Sequence, residues 1–220
     1  MKLFVWDLHG TMEQGNEVAV IEVLNKVLEN HGYPARFGAH HALELYGRKW
    51  HEYFAHILPD ETPDTHVGLQ AATFAYFFSD NDDGINIMSK HVKPSNNLKT
   101  TLDAILKEHE QILISNTIPE GMRLFIHMLG LSKHFNETNA FPVDEHMSHV
   151  RGVKKDILAN YLAVRPKYDD VIVIGDSESD MDLAEAFDAR SYLYAHEGMP
   201  FRSKKGHYKI NDLKDVLREL

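Results

Sequence analysis

The apolar and polar positions of the chain fall into two regimes. Three short runs are apolar without a break, and each ends abruptly in polar residues. Leu3-Phe4-Val5-Trp6 runs into Asp7, Ile112-Leu113-Ile114 into Ser115-Asn116-Thr117, and Val171-Ile172-Val173-Ile174 into Gly175-Asp176. Continuous rather than alternating apolarity predicts strands buried on both faces of a parallel sheet. Helical patterns separate the runs, over residues 98–109, 120–129 and 154–162. This alternation predicts right-handed crossovers and a doubly wound, Rossmann-like α/β sheet. Such sheets bind ligands beyond the carboxyl ends of their strands, so all three runs should deliver their polar residues to one edge.

The stretch between the first and second runs reads differently. Val18, Ile21, Leu24, Val27 and Leu28 recur at helical spacing behind Asn16, a natural N-cap. Residues 41–57 continue helical, interrupted near Gly47 and stopped at Pro59, and Val67, Ala71, Phe74 and Phe78 form a third stripe rich in aromatics. The polar turn Asp80-Asn81-Asp82-Asp83-Gly84 closes it. The expected organisation is a core of residues 1–14 and 93–220 carrying a helical insertion over 15–92, with hinges near 12–15 and 92–96. Residues 191–195 and 208–210 suggest two further strands, followed by a terminal helix from Asp212.

Composition narrows the function. At 220 residues the chain is long enough to bury a sizeable core, and with no cysteine it has neither disulfides nor thiolate chemistry. No apolar stretch approaches the roughly 20 residues of a membrane helix, and the amino terminus lacks the features of a signal peptide. A cytoplasmic protein with no membrane partner is expected. The formal charge of −10 opposes a nucleic-acid footprint. Fifteen histidines would carry that charge to +5 when protonated, so surface charge should change steeply as pH falls through about 6.5.

Candidate chemistry gathers at the expected strand ends. Asp7-Leu8-His9-Gly10-Thr11 follows the first strand, where Gly10 permits a tight turn beside a ligand. Ser115-Asn116-Thr117 offers hydroxyl and amide groups for phosphate oxygens. Gly175-Asp176-Ser177-Glu178-Ser179-Asp180 ends the third strand, with Ser179 the expected cap of the next helix. Lys154, one helix earlier, could approach from the side. Acidic oxygens, a lysine and hydroxyl donors together suit Mg²⁺ shared with a phosphate.

These pieces, in this order, resemble the haloacid dehalogenase superfamily of phosphohydrolases: Asp7 to Thr11, Ile112 to Asn116, Lys154 in Lys-Lys-Asp-Ile-Leu, and Gly175 to Asp180. The resemblance spans nearly the whole chain. The insertion is similar to that family's helical cap, as in phosphoglycolate-phosphatase-like and phosphoglucomutase-like members. Leu45-Tyr46-Gly47-Arg48-Lys49-Trp50 is similar to the cap segment turned toward substrate, which makes Arg48 a candidate substrate contact; the competing expectation is that Arg48 and Lys49 are solvated. The resemblance implies that Asp7 attacks phosphorus and forms an aspartyl-phosphate on a small phosphorylated metabolite. It implies Mg²⁺ held by Asp7, Asp176 and the main-chain carbonyl of His9, with Asp180 assisting. Ser115, Asn116, Thr11 and Lys154 would hold the substrate's phosphoryl group.

One position departs from the family pattern. Where an acid–base aspartate is usual, two residues after the nucleophile, this chain has His9. Acid–base catalysis contributes about 10²- to 10⁴-fold, so the change bears on turnover. His9 can exchange protons near neutrality itself, and His9→Asp is then expected to preserve or raise phosphate release. The alternatives are a weak or inactive phosphate-binding protein, a phosphomutase, and a dehalogenase, against which Asp176 and Asp180 argue. Other features carry less. Lys155 rivals Lys154. His146 and His149 are expected to be chance neighbours on a loop. Residues 80–84 fail as a calcium loop, because Ser79 and Lys90 fall where acids are needed. Arg202, Lys204, Lys205 and Lys209 are expected on a solvated loop.

Overall fold

The computed structural model describes residues 1–78, 83–143, 153–165 and 167–220. His146, His149 and the start of the 80–84 turn lie outside the described residues. The chain divides into two compact units, one of Met1–Glu13 with Pro94–Leu220 and the other of Gln14–Lys93.

The first unit is built on β1 (Leu3–Trp6), with β2 (Glu13–Gln14) beginning as its first segment ends. After the second unit come β3 (Lys93–Pro94), β4 (Glu110–Ser115), β5 (Ala140–Pro142), β6 (Val171–Gly175), β7 (Arg190–Tyr194) and β8 (Tyr208–Ile210). Among the described residues, six of these strands form one parallel sheet in the order β5-β4-β1-β6-β7-β8. The three apolar runs are its centre: Val5 of β1 pairs with Ile112 on one side and Val173 on the other. The matched registers end these strands nearly level, which brings Asp7, Ser115 and Asp176 to a common edge. β2 and β3 form a separate two-stranded sheet.

Helices, beginning with α6 (Leu98–Ile105) and α7 (Pro119–Met128), cover the sheet because its strands are apolar on both faces. Leu3, Val5, Ile112, Ile114 and Val173 pack with Leu158 and Tyr161 of α8 (Val153–Ala163) and Leu183 of α9 (Glu178–Ala186). Each fully buried aliphatic side chain contributes about 1.5–3 kcal/mol. Two polar side chains of the core satisfy each other: Trp6 Nε1–H donates to Gln111 Oε1 at 3.1 Å, and Gln111 Nε2–H donates to the Leu102 carbonyl at 3.0 Å. The terminal segment from Leu213 to Glu219 is a 3₁₀ helix.

The second unit is helical: α1 (Asn16–Asn30), α2 (His41–Glu44), α3 (Trp50–Ile57), α4 (Pro63–Phe77) and α5 (Asp83–His91). Leu24, Val27 and Leu28 of α1 pack with Phe37, Leu45, Phe54 and Leu69. The aromatic stripe is absorbed inside this unit, where the Trp50 ring lies 4.6 Å from Phe74 and 5.4 Å from Phe77. Two boundaries differ from the sequence reading. Gly15 rather than Asn16 is the N-cap of α1, and Gly84 sits within α5 instead of closing a turn. No described helix is long and apolar enough to cross a membrane.

Candidate functional site

Asp7 follows β1 and remains tied to the sheet, its N–H donating to the Ile174 carbonyl at 2.9 Å. Its carboxyl is buried, and Oδ1 accepts two hydrogen bonds, from Ser115 Oγ at 2.9 Å and Lys154 Nζ at 2.8 Å. Ser115 is the last residue of β4. Lys154 lies in the first turn of α8, and the same ammonium donates to Asp180 Oδ1 at 2.8 Å. The adjacent Lys155 is exposed, because consecutive helical residues point about 100° apart. The two lysines therefore have different surroundings.

Asp180 occupies the third position of α9. A Cβ on Gly175 would come within 2.3 Å of Asp180 Cγ, so glycine at the end of β6 is what lets this carboxylate fold back over the strand. Its second oxygen accepts the Ser177 N–H at 3.1 Å and the Ser177 hydroxyl at 2.5 Å. The N-cap is thus Ser177, two residues before the expected Ser179, because capping pairs a residue with the one three positions on. Asp176, also buried, accepts from Arg202 Nη1 at 2.5 Å. Arg202 was expected on a solvated loop; instead the carboxylate draws it in.

The electrostatics follow from three carboxyls sharing a dry site. One oxygen from each of Asp7, Asp176 and Asp180 lies within 4.8 Å of the others. Burial, opposed by Lys154 and reinforced by Asp180, raises the Asp7 carboxyl above its ordinary value. Burial, opposed by Arg202 and reinforced by Asp7 and Asp180, pushes Asp176 up to about 7. Burial works against the Lys154 charge, but its two carboxylate partners outweigh that and hold it protonated. Two cations face three acids, so once all three are ionised the site carries an excess of negative charge on hard oxygen donors. That donor set fits Mg²⁺.

After Asp7 the chain makes one tight turn, with the Met12 N–H donating to the Leu8 carbonyl at 2.8 Å and Gly10 at φ 75°. His9 is half-buried, its ring edge-on to Phe125 with centroids 4.6 Å apart. Its Nδ1 lies 3.3 Å from Oε1 of Glu13, a buried carboxyl that also accepts the Gly10 N–H at 3.2 Å. Thr11 is fully enclosed, its carbonyl accepting from Ser95 Oγ at 2.7 Å. Asn116 is half-buried beside Ser115, and Arg48 is an exposed residue of the helical unit.

The structure thus brings Asp7, Ser115, Lys154, Asp176 and Asp180 together. It adds Glu13 and Arg202, which the sequence reading did not single out as site residues. Glu13 carried a local signal, four residues from His9; Arg202 carried none. In the helical unit His40, His41 and Glu44 also converge, with His56 Nε2 at 3.6 Å from Glu44. There His41 Nδ1 accepts the Gly38 N–H at 2.8 Å, so in the neutral ring Nε2 holds the proton and offers no lone pair to a metal.

Residues 1–188 match the family model of haloacid dehalogenase-like hydrolases. No curated protein matches the chain. Among solved structures, the chain is similar to a predicted phosphoglycolate phosphatase from Haemophilus somnus, at 15% identity and TM-score 0.74, covering 100% of this chain and 97% of that one. It is similar to a HAD-superfamily hydrolase, subfamily IA, variant 1, from Geobacter sulfurreducens, at 18% identity and TM-score 0.70, covering 100% and 96%. A haloacid dehalogenase-like family hydrolase from Streptococcus pneumoniae matches at 15% identity and TM-score 0.71, covering 99% and 97%. At these identities the likeness concerns the fold.

Proposed function

The chain belongs to the haloacid dehalogenase-like hydrolases, and from that membership we propose that it is a Mg²⁺-dependent phosphatase acting on a small phosphomonoester. The observation that carries this reading is the Asp7 carboxylate, with Ser115 and Lys154 on one oxygen and Asp176 and Asp180 gathered around it. Lys154 and Ser115 hold Asp7 for in-line attack, and the oxygen they leave unoccupied forms the new bond to phosphorus. The ester oxygen departs with the bonding pair and takes a proton from His9. Water then attacks phosphorus, His9 takes its proton, and the Asp7 carboxylate and inorganic phosphate are regenerated.

Asp7, Asp176 and the His9 carbonyl would hold Mg²⁺, which neutralises charge on the transferring phosphoryl oxygens. Asp180 acts through Lys154, and Asn116 supports the phosphoryl oxygens. In the same reading residues 15–92 select the substrate and residues 1–14 with 93–220 perform the chemistry. The relative described as a phosphoglycolate phosphatase is consistent with a small anionic ester. The test is phosphate release across a phosphometabolite panel with Mg²⁺, beside Asp7→Asn. Release should require Mg²⁺ and vanish in the variant. An Asp7→Asn protein as fast as wild type removes Asp7 as nucleophile.

A further inference from the structure

We infer that Glu13 is a positioning residue that fixes the proton of the His9 ring at Nδ1 and so turns Nε2 into the atom that exchanges protons with the leaving group and with water. The inference rests on the phosphatase reading and adds to it a residue four positions beyond the one that departs from the family pattern.

The geometry is specific. Glu13 is 1% exposed, at the end of the turn that begins beneath His9. Its Oε1 already accepts the Gly10 N–H at 3.2 Å, so toward His9 that oxygen stands as an acceptor. At 3.3 Å it receives the His9 Nδ1–H. A neutral imidazole carries one ring proton, and placing it on Nδ1 leaves the lone pair on Nε2. The edge-on contact with Phe125 supports the same ring orientation. In the Ser-His-Asp triads a carboxylate behind the histidine plays this orienting part, holding the imidazole in one tautomer.

The rest of the molecule offers Glu13 little competing use. Its Oε2 has no hydrogen-bond partner among the described residues. His196 is the other titratable ring whose surroundings include Glu13; burial favours its neutral form, and its Nδ1 lies 3.2 Å from the Tyr194 hydroxyl. A buried carboxylate is costly unless it is hydrogen-bonded, and among the described residues the bonds of the Glu13 side chain are those to the His9 ring and to the Gly10 N–H of the turn that presents it.

The test compares kcat/KM, with Mg²⁺, for an alkyl phosphomonoester and for p-nitrophenyl phosphate, whose phenolate departs without a proton. Wild type, Glu13→Ala, Glu13→Gln, His9→Ala and the His9→Ala/Glu13→Ala double variant are measured, with thermal unfolding as the check on folding. Glu13→Ala should lower kcat/KM for the alkyl ester by about 10²-fold, and by about tenfold less for the aryl ester. Glu13→Gln should recover part of the loss, since its amide oxygen still accepts from Gly10 and Nδ1, and it carries the same ester comparison if Glu13→Ala does not fold. In the His9→Ala background, removing Glu13 should cost nothing further. Equal losses on both esters, or additive losses in the double variant, overturn the inference alone. A wild-type chain that releases phosphate from neither ester nor from any member of the phosphometabolite panel overturns the phosphatase reading, and this inference with it.

Discussion

Arg202 Nη1 lies 2.5 Å from Asp176 Oδ2, so the loop after β7 sets a guanidinium against the carboxylate that β6 delivers to the site. Arg202 and a bound cation act on the same charge. Removing the guanidinium should therefore tighten cation binding. The unscreened interaction of unit charges about 4 Å apart is around 4 kcal/mol at an effective dielectric of 20, and partial exposure of Arg202 reduces it. Arg202→Gln is expected to strengthen Mg²⁺ binding several-fold by titration calorimetry. Weaker binding in the variant would mean instead that the guanidinium holds Asp176 in the orientation a cation needs.

The raised acids also make stability depend on pH. Asp176 titrates at about 7 in the folded chain against an ordinary 3.8. Between those values the folded state holds a proton that the unfolded state has lost, so stability falls as pH rises. The contribution is complete below 3.8 and gone once pH passes through about 7. A shift of this size corresponds to at most about 4 kcal/mol. In metal-free protein, the unfolding midpoint of wild type should drop by several degrees relative to Asp176→Asn between pH 5 and pH 8. Mg²⁺ should raise the wild-type midpoint more at pH 8, where protons no longer compete. A midpoint difference that does not change with pH would refute the assignment.

The central strands were legible because β1, β4 and β6 are apolar on both faces, and the polar residues ending them declare the edge of the sheet. What escaped was short or non-local. β5 is three residues long, half-buried and ends in Pro142, so neither periodicity nor β-propensity marks it. α5 begins in an acidic, Gly-containing stretch that reads as a turn until tertiary packing overrides propensity. Ser177 outcompetes Ser179 as cap because Asp180 answers it from three positions on, a reciprocity visible in the chain once the helix start is known. Arg202 finds Asp176 across 26 residues, and no local pattern predicts that meeting. Glu13 read as linker because its role exists only after the turn at Gly10 folds it beneath His9.

Lys154 neutralises two buried carboxylates at once, with 2.8 Å bonds to Asp7 and Asp180. Lys154→Met leaves both without their shared cation in a dry site. Breaking a buried ion pair from one side costs about 3–5 kcal/mol. The metal-free variant should unfold at markedly lower urea concentration, and Mg²⁺ should recover part of the difference by supplying charge to the same acids. Lys155→Met, at an exposed position one residue on, should stay within about 0.5 kcal/mol of wild type. Equal effects of the two substitutions would show that the buried bonds contribute nothing to folding.

Glu13 adds a condition to restoring the usual acid–base aspartate. In His9→Asp the new carboxyl stands beside the buried Glu13 carboxylate, which loses the ring that donated to it. Two carboxylates sharing such a site resist ionising together, so one of them holds its proton to higher pH. From the sequence alone this substitution is expected to preserve or raise phosphate release; with the buried Glu13 carboxyl beside it, the single variant is instead expected to be slower than wild type at neutral pH, its rate falling further as pH rises and the second carboxyl ionises. Pairing it with Glu13→Gln removes the like charge while keeping an acceptor for the Gly10 N–H. The double variant should then exceed the single one by about tenfold or more in kcat/KM on an alkyl phosphomonoester. Phosphate-release kinetics on the two proteins decide the matter: a single variant already as fast as the double would mean that Glu13 does not sense the side chain at position 9.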